Sequence, residues 1–208
     1  MSLFIASLNS GSNGNCYFVS NEEEAVLIDA GISCRELEKR MSRLGLLPGK
    51  IKAIFVSHEH TDHISGIKIL SKKYRIPVYI TENTLKNSSL KLQPELVRSF
   101  TANTVVTIGG LSIHPFSKDH DAADPYSFTV EGNGVKIAIL TDIGKVCERV
   151  VEHFKACHAA FLEANYDEDM LENGGYPVYL KNRIRGGERG ICPISRPWIF
   201  LQATALNL

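Results

Sequence analysis

Three histidines and an aspartate lie within six residues, in the segment Ser-His-Glu-His-Thr-Asp-His-Ile-Ser-Gly at positions 57–66. They are His58, His60, Asp62 and His63. The apolar run 51–56 comes directly before them and, being rich in β-branched and aromatic residues, predicts a buried strand. Imidazole and carboxylate groups bind zinc, iron and manganese, and a turn after a strand can direct alternate side chains to one point. The segment therefore predicts a metal site.

The alternative for this histidine loop is a chance cluster or a solvated surface run. The chain has seven histidines in 208 residues, so three in one loop is a marked concentration. The predicted strand before the loop and the glycine-bearing helix start after it favour a site built for binding.

Two other segments at predicted strand ends carry side chains that bind metals. His120 lies between two predicted strands, and Asp142 follows the apolar run 137–140. Taken singly, His120 could be a solvated loop residue and Asp142 a helix cap. Two metal ions need two to three protein ligands each plus a shared water. The resulting assignment is His58, His60 and His120 for one ion, Asp62 and His63 for the other, and Asp142 as a bridge.

The alternation of apolar and polar residues predicts two β-rich halves with helices between their strands. The predicted strands are 3–8, 16–19, 25–28, 51–56 and 77–80, then 104–108, 111–115, 126–130, 135–140 and 159–162. The predicted helices are 33–44, 64–73, 84–90 and 146–157, and 93–102 is ambiguous. Glycines at 109–110 and 132–134 predict hairpin turns.

Two polar features at strand ends have more than one interpretation. Asp29 follows the strand 25–28 and could cap the next helix, or it could orient a metal-binding histidine from the same sheet edge. The carboxylate-rich segment 163–169 is interpreted as a solvated loop that leads to a helix. His153 and His158 are interpreted as surface or packing residues.

Composition places the chain among ordinary globular proteins. It is 44% apolar and 22% charged and is long enough to bury a core. The net charge is zero, so contact with a polyanion would need a local basic patch. Five cysteines without CxxC spacing indicate free thiols in a reducing compartment. We expect a cytoplasmic protein without a signal peptide or membrane partner, and the oligomeric state stays open.

The order of strand, His-x-His-x-Asp-His, distant histidine and Thr-Asp at a strand end resembles the metallo-β-lactamase superfamily. Further motifs resemble its WalJ/YycJ-like branch, and these lie at 10–15, 27–31, 120–122 and 162–167. The resemblance to the superfamily rests on the histidine motif, and the resemblance to the branch rests on the other motifs. The resemblance extends from about residue 3 to residue 190.

This resemblance implies an α/β fold, α+β in some schemes, namely a four-layer αβ/βα sandwich of two mixed β-sheets with helices outside. It implies two divalent metal ions at one edge, with zinc preferred over manganese or iron, and hydrolysis by a metal-bridged hydroxide. Asp62 would orient or deprotonate that water while binding the second ion. For this branch the implied function is a nuclease acting on DNA, specifically an exonuclease. Lys181, Arg183 and Arg185 could contact phosphates or form a solvated helix face.

The end of the chain departs from the family pattern. This branch has a late histidine in a Gly-His-Leu-Ser-Asn motif that opens the last helix, but no histidine follows His158. Residues 191–200 have two prolines and no helical period. Reading the codons of residues 190–205 one base out of phase can restore His-Leu-Ser-Asn and an amphipathic helix. We therefore divide the chain into a metallo-β-lactamase-like domain, 1–190, and an atypical tail, 191–208, that a frameshift could have produced.

Two other functions compete with a two-metal phosphodiesterase. A hydrolase of the same fold could cleave a thioester or a lactone, because this scaffold supports many chemistries. A catalytically impaired metal-binding protein would result if the late histidine is truly absent, because the second ion would lose a ligand. A diiron oxygen-reducing protein is disfavoured, because those proteins carry another acidic ligand within the motif and position 60 is histidine.

Overall fold

Two β-sheets form the centre of the protein, which a computed structural model describes over residues 3–144 and 147–163 and at 173, 175, 178 and 181. The first sheet has six strands in chain order from one edge to the other. They are β1 (Phe4–Asn9), β2 (Cys16–Ser20), β3 (Ala25–Ile28), β4 (Ile51–Phe55), β5 (Val78–Tyr79) and β6 (Val97–Arg98). Strands β1 to β3 form an antiparallel meander, and β3 to β6 run parallel. The sheet is therefore mixed.

The second sheet has five strands in the order β11-β10-β9-β8-β7. They are β7 (Val106–Ile108), β8 (Leu111–Ser117), β9 (Tyr126–Gly132), β10 (Val135–Leu140) and β11 (Ala159–Leu162). The hairpin between β9 and β10 turns at Asn133 and Gly134, which both have positive φ, as a tight two-residue turn requires. Strand β11 runs parallel to β10, so this sheet is mixed as well.

Helices cover the outer faces of both sheets, because parallel neighbours need crossover connections. The helices are α1 (Cys34–Arg43), α2 (Thr61–Ile64), α3 (Ile67–Tyr74), α4 (Glu82–Asn87) and α5 (Glu148–Lys155). Leu37 of α1 and Leu70 of α3 pack in the same cluster as Leu27 of β3. Val150 of α5 packs with Ala138 of β10 on the other side. None of the helices in the described ranges combines the length and apolarity that crossing a bilayer requires.

The inner faces of the two sheets share one apolar core. It contains Val26 and Phe55 from the first sheet and Phe128 and Ile139 from the second, all nearly inaccessible to solvent. The layers are therefore helix, sheet, sheet and helix, and the predicted four-layer sandwich is confirmed.

Two predicted elements differ from the structure. The helix predicted over 64–73 is two helices, α2 and α3, although Ile64, Ile67 and Leu70 are buried as predicted. The break is at Gly66, whose N–H donates to the Ala30 carbonyl and whose added Cβ would lie 1.9 Å from the Ile32 carbonyl oxygen. The ambiguous segment 93–102 contains a short 3₁₀ helix, Pro94–Leu96, and strand β6. The tail 191–208 lies outside the described residues.

Candidate metal centre

Residues that follow the ends of several strands lie together at one edge of the sandwich. Asp29 follows β3, Asp142 lies two residues after β10, and Glu163 follows β11. The histidine loop after β4 and the loop that carries His120 between β8 and β9 meet there. Two hydrogen bonds join these loops across the sheets, from the Tyr126 N–H to the Ser57 carbonyl and from the Ala123 N–H to Glu59 Oε1.

Three imidazole groups converge on one point. His58 Nε2 lies 3.1 Å from His60 Nδ1, and His120 Nε2 lies 3.4 Å from the same atom. Two nitrogens bound tetrahedrally to one zinc ion at about 2.0–2.1 Å are about 3.3 Å apart. The two distances to His60 are therefore close to the spacing that a shared ion requires, and all three nitrogens lie within 4.8 Å of one another, which agrees with the predicted first set of ligands.

Burial keeps two of these imidazoles neutral. It lowers the pKa of His120 to about 3, with the nearby Lys118 ammonium as the next cause. It also lowers the pKa of His58 well below its ordinary value, and His63 adds to this effect. A metal ion binds the unprotonated imidazole, so these lowered pKa values fit a ligand role.

A second set of ligand atoms adjoins the first. Asp142 Oδ2 lies 2.7 Å from His63 Nε2 and 3.7 Å from His58 Nε2, so it stands between the two sets. Asp62 Oδ2 lies 3.7 Å from His63 Nε2, and its side chain is one-third exposed. The ligand atoms of His58, His63 and Asp142 all fall within 4.8 Å of one another. The structure thus brings all six predicted residues together, with Asp62 on the solvent side.

Asp29 orients two of these histidines, His63 directly and His58 through Ser57. It is fully buried, and its carboxylate accepts the Ser57 N–H and the Ser57 hydroxyl, each at 2.7 Å. Its Oδ2 also lies 2.7 Å from His63 Nδ1, which donates to it. The same Ser57 oxygen lies 2.9 Å from His58 Nδ1. These contacts leave Nε2 of both histidines directed at the centre, which is how outer partners orient metal-binding imidazoles. Ser33, not Asp29, caps α1, and the contacts of Asp29 agree with the orienting alternative.

The charge of His63 in the metal-free protein is set by two carboxylates. Burial would lower the pKa of His63, but Asp29 and Asp142, one at each ring nitrogen, together raise it to about 10. The pKa of Asp142 is lowered in turn, because hydrogen bonding to His63 outweighs the burial of the carboxylate. In the metal-free protein, protonated His63 thus supplies positive charge next to the Asp142 carboxylate, where the fold family implies a cation.

Asn15 also reaches the centre, although its segment, 10–15, stands in the sequence only as one of the motifs that resemble the family branch. Its Nδ2 lies 3.0 Å from His63 Nε2. Its Oδ1 accepts the Gly11 N–H at 3.1 Å, and the Tyr17 hydroxyl lies 3.4 Å away. Because a backbone N–H can only donate, the Gly11 contact directs the donor end of the Asn15 amide to the site, where it can donate to His63 Nε2 only when that nitrogen carries no proton.

The loops around the centre interlock at Gly31. The Gly31 N–H donates to the Asn15 carbonyl, and the Asn15 N–H donates to the Asp62 carbonyl. A Cβ at position 31 would lie 1.6 Å from that same Asp62 oxygen. Only glycine allows this approach of two backbones.

Two buried charged residues were not predicted at the site. Lys118 is 4% exposed, and its ammonium group donates to the Thr141 carbonyl. Glu163 is 7% exposed, and burial followed by the charge of Asp142 raises its pKa to about 7. The interpretation of 163–169 as a solvated loop is wrong for Glu163, because β11 delivers that side chain to the interior. The remaining residues of that segment lie outside the described ranges.

Of the three histidines outside this cluster, His114 lies on β8, and His153 and His158 have packing partners. His153 stacks on Phe116 with ring centroids 3.9 Å apart. His158 Nδ1 accepts the Lys136 N–H at 3.0 Å. Their interpretation as surface or packing residues agrees with these contacts.

A family model described as a β-lactamase superfamily domain matches residues 24–182. The chain belongs to the β-lactamase superfamily. As a member of this superfamily with the metallo-β-lactamase fold, it is a hydrolase, and the fold implies divalent metal ions at the site just described. The predicted superfamily is therefore confirmed.

Similar proteins agree with the predicted branch of this superfamily. The chain is 34% identical over 195 residues to the exodeoxyribonuclease YycJ of Bacillus anthracis, with 92% of this chain and 74% of the relative covered. It is 31% identical over 182 residues to the exodeoxyribonuclease WalJ of Streptococcus pneumoniae, with 85% and 68% covered. Among solved structures, the metallo-β-lactamase fold protein YhfI of Bacillus subtilis superposes with a TM-score of 0.67 at 15% identity, covering 81% of this chain and 74% of that one.

Proposed function

We propose that this protein is a metal-dependent phosphodiesterase that degrades DNA as an exonuclease. The observation that carries the proposal is the 34% identity to a relative named an exodeoxyribonuclease, over 92% of this chain. That coverage spans nearly the whole chain, so the likeness is not confined to the histidine motif that the superfamily shares.

The proposed metal ligands are the six residues predicted from the sequence. His58, His60 and His120 would hold one ion through three neutral nitrogens, the donor type that suits zinc. His63 and Asp62 would hold the second, with Asp142 as the bridge because its Oδ2 lies between His58 and His63. Zinc is the proposed metal, and manganese or iron is the alternative for the oxygen-containing set. Two divalent cations supply acidification of a shared water and stabilisation of charge on the attacked phosphoryl group.

The protein side chains supply orientation and a place for the proton. Asp62 is the most exposed of the carboxylates at the centre, and its Oδ2 is proposed to orient the attacking water or to accept its proton. The Asn15 amide directs N–H groups at the same region and is proposed to contact the substrate. The buried Asp29 and Ser57 keep the imidazoles aligned while the substrate binds and leaves.

Phosphate contacts are proposed for Lys181, Arg183 and Arg185, of which the last two lie outside the described residues. The cysteines within the described ranges have free thiols, which agrees with the proposed cytoplasmic location.

The test uses the full-length chain loaded with zinc or with manganese and offered end-labelled duplex and single-stranded DNA. Stepwise release of nucleotides is expected, with loss of activity in Asp62→Ala and full activity in Glu95→Ala, an exposed carboxylate on the first sheet's side of the fold. Acyl thioesters and lactones are tested in parallel. Turnover of those compounds without cleavage of DNA would replace the proposal with the rival hydrolase.

Metal counting separates the third function from the first two. Elemental analysis near two ions per chain is expected of the enzyme, whereas one ion or none without turnover would support the impaired metal-binding protein. Sequencing of the gene and the intact mass test the frameshift hypothesis for the tail. An uninterrupted frame and a mass equal to that of the 208 residues would refute an error in the recorded sequence.

A further inference from the structure

One peptide group beside the metal centre, the one joining Thr141 to Asp142, is held by two buried charged side chains. Lys118 Nζ donates to the Thr141 carbonyl at 2.5 Å. Glu163 lies on the other side, where its own N–H donates to the Leu140 carbonyl at 3.0 Å, and a hydrogen bond from the Asp142 N–H opposes the rise in the Glu163 pKa that burial causes. Because the C=O and N–H of a trans peptide point to opposite sides, the two side chains grip the same peptide from both sides.

Both of these side chains are buried at a cost that needs an explanation. Lys118 is 4% exposed and Glu163 is 7% exposed. Removing such charges from water is unfavourable unless they are paired or hydrogen-bonded. Burial lowers the pKa of Lys118, and the negative charges of Asp142, Asp29 and Glu163 act in the opposite direction and favour its ammonium form.

Strand pairing fixes Glu163 beside this peptide. Leu162 of β11 pairs with Leu140 of β10 in parallel register, and the Glu163 N–H donates to the Leu140 carbonyl at 3.0 Å. Thr141 is the residue that follows Leu140 along the chain. Glu163 is therefore delivered to the peptide by the sheet itself.

The backbone of Asp142 shows why this peptide needs to be held. Its φ is 46°, in the left-handed region that residues other than glycine seldom occupy. A change of φ at Asp142 to a negative value would relieve that conformation, turn the Cα–Cβ bond relative to the Thr141–Asp142 peptide and move the carboxylate. In the structure that carboxylate lies 2.7 Å from His63 Nε2.

We propose that Lys118 and Glu163 are positioning residues that clamp the Thr141–Asp142 peptide and thereby hold the Asp142 carboxylate in its place between the two sets of metal ligands. The inference rests on the proposed metal centre and is independent of the substrate. Neither residue needs to touch a metal ion or the substrate for this role.

The first experiment measures zinc and manganese affinity by competition with a chromophoric chelator. Lys118→Met and Glu163→Ala are each expected to lower the affinity by about 10- to 100-fold, the usual effect of losing an outer partner. Lys136→Met is the matched control, because Lys136 also lies on the second sheet and pairs with a glutamate, Glu131, at 3.0 Å. Its affinity should stay within about twofold of the unaltered protein.

A double-mutant cycle separates positioning from general damage. If Lys118 acts through Asp142, Lys118→Met should cause no further loss of affinity in an Asp142→Ala background. An equal loss in both backgrounds would overturn the proposal, and so would an unchanged affinity in Lys118→Met.

The second experiment needs no metal. Amide hydrogen exchange of Asp142, measured by NMR in the metal-free protein, should accelerate at least about tenfold in Glu163→Ala relative to the Leu140 amide. Glu163→Gln keeps an acceptor oxygen and should exchange more slowly than Glu163→Ala. Equal exchange in both variants and the unaltered protein would refute the clamp, even if Lys118→Met fails to fold.

Failure of the clamp and failure of the proposed nuclease give different results. Metal affinities and exchange rates as expected, without cleavage of DNA, would refute the proposed function and support the clamp. Active cleavage of DNA with unchanged affinity and exchange in the variants would refute the clamp alone.

Discussion

Replacement of Asp29 with asparagine should weaken metal binding by reversing the tautomer of His63. The asparagine carbonyl can still accept the Ser57 N–H, but its NH₂ group then replaces the oxygen that faces His63 Nδ1. An amide donor can meet only an unprotonated Nδ1, so the ring proton moves to Nε2, the atom that points into the centre. Backbone strain should not add to the loss of metal affinity, because φ at this position is 60° and asparagine tolerates that region as aspartate does.

The expected magnitude follows from the contact that is lost. A hydrogen bond to a charged group contributes about 1.5–3 kcal/mol net. Since about 1.4 kcal/mol is a factor of ten in affinity, the loss corresponds to a metal affinity about 10- to 150-fold weaker. The Asp29–His63 distance of 2.7 Å and the full burial of both residues place the effect toward the upper part of that range.

Chelator competition at fixed pH measures the affinity, and ¹⁵N NMR of the imidazole nitrogens reports which one carries the proton. Glu82→Gln is the matched control, because it also converts a carboxylate to an amide but lies exposed on α4 in an ion pair with Lys86. An affinity of Asp29→Asn within about twofold of the unaltered protein, with Nδ1 still protonated, would refute the reasoning.

Three other perturbations test the loops and charges of the same centre. Gly31→Ala should lower the free energy of unfolding in urea by more than about 3 kcal/mol, because its Cβ would strike the Asp62 carbonyl. Gly49→Ala, where no atom lies within 4 Å, should change it by less than about 0.5 kcal/mol. In the metal-free protein, the pKa of His63 rises from 6.5 to about 10 on folding, so its stabilisation is complete below the lower value and lost as the pH rises through the upper one. The difference in unfolding free energy between the unaltered protein and His63→Gln should therefore shrink as the pH rises from 6.5 to about 10. Removal of bound metal by a chelator should lower Tm, since an ion at a hundred times its Kd contributes about 2.7 kcal/mol.

For each of these three predictions, one result would contradict the physical reason given. Equal stability of Gly31→Ala and Gly49→Ala would mean that the two loops can separate without loss. A difference between His63→Gln and the unaltered protein that grows with pH would mean that His63 is neutral in the metal-free centre. An unchanged Tm after chelation would mean that the centre binds no ion under the conditions used.

Most of the fold could be predicted because local pattern and turn chemistry agree with the tertiary structure. The strand 135–140 was predicted with the bounds that β10 has, since it is a short apolar run whose two faces are both buried, Ile137 and Ile139 between the sheets and Ala138 and Leu140 in the cluster that contains Val150 of α5. The hairpin at 132–134 followed from glycine and asparagine in a tight turn. The break between α2 and α3 could not be predicted, because it depends on the contact of Gly66 with the Ala30 and Ile32 carbonyls from a distant loop.

The sequence by itself determined which chemistry the protein can perform. Ligand type and short spacing are properties of the chain, so His58, His60, Asp62 and His63 predicted a metal site, and His120 and Asp142 extended it. Their convergence within a few ångströms agrees with that reading, and their role as ligands stays a prediction.

Only the tertiary structure decided what surrounds these six residues. Asp29, Asn15, Lys118 and Glu163 each have an ordinary alternative in sequence, as a turn, loop or solvated residue. They become parts of the centre because strands far apart in the chain end at the same edge, where burial of a polar group is unfavourable unless the group gains a partner. That requirement depends on three-dimensional contacts, which is why local spacing did not reveal it.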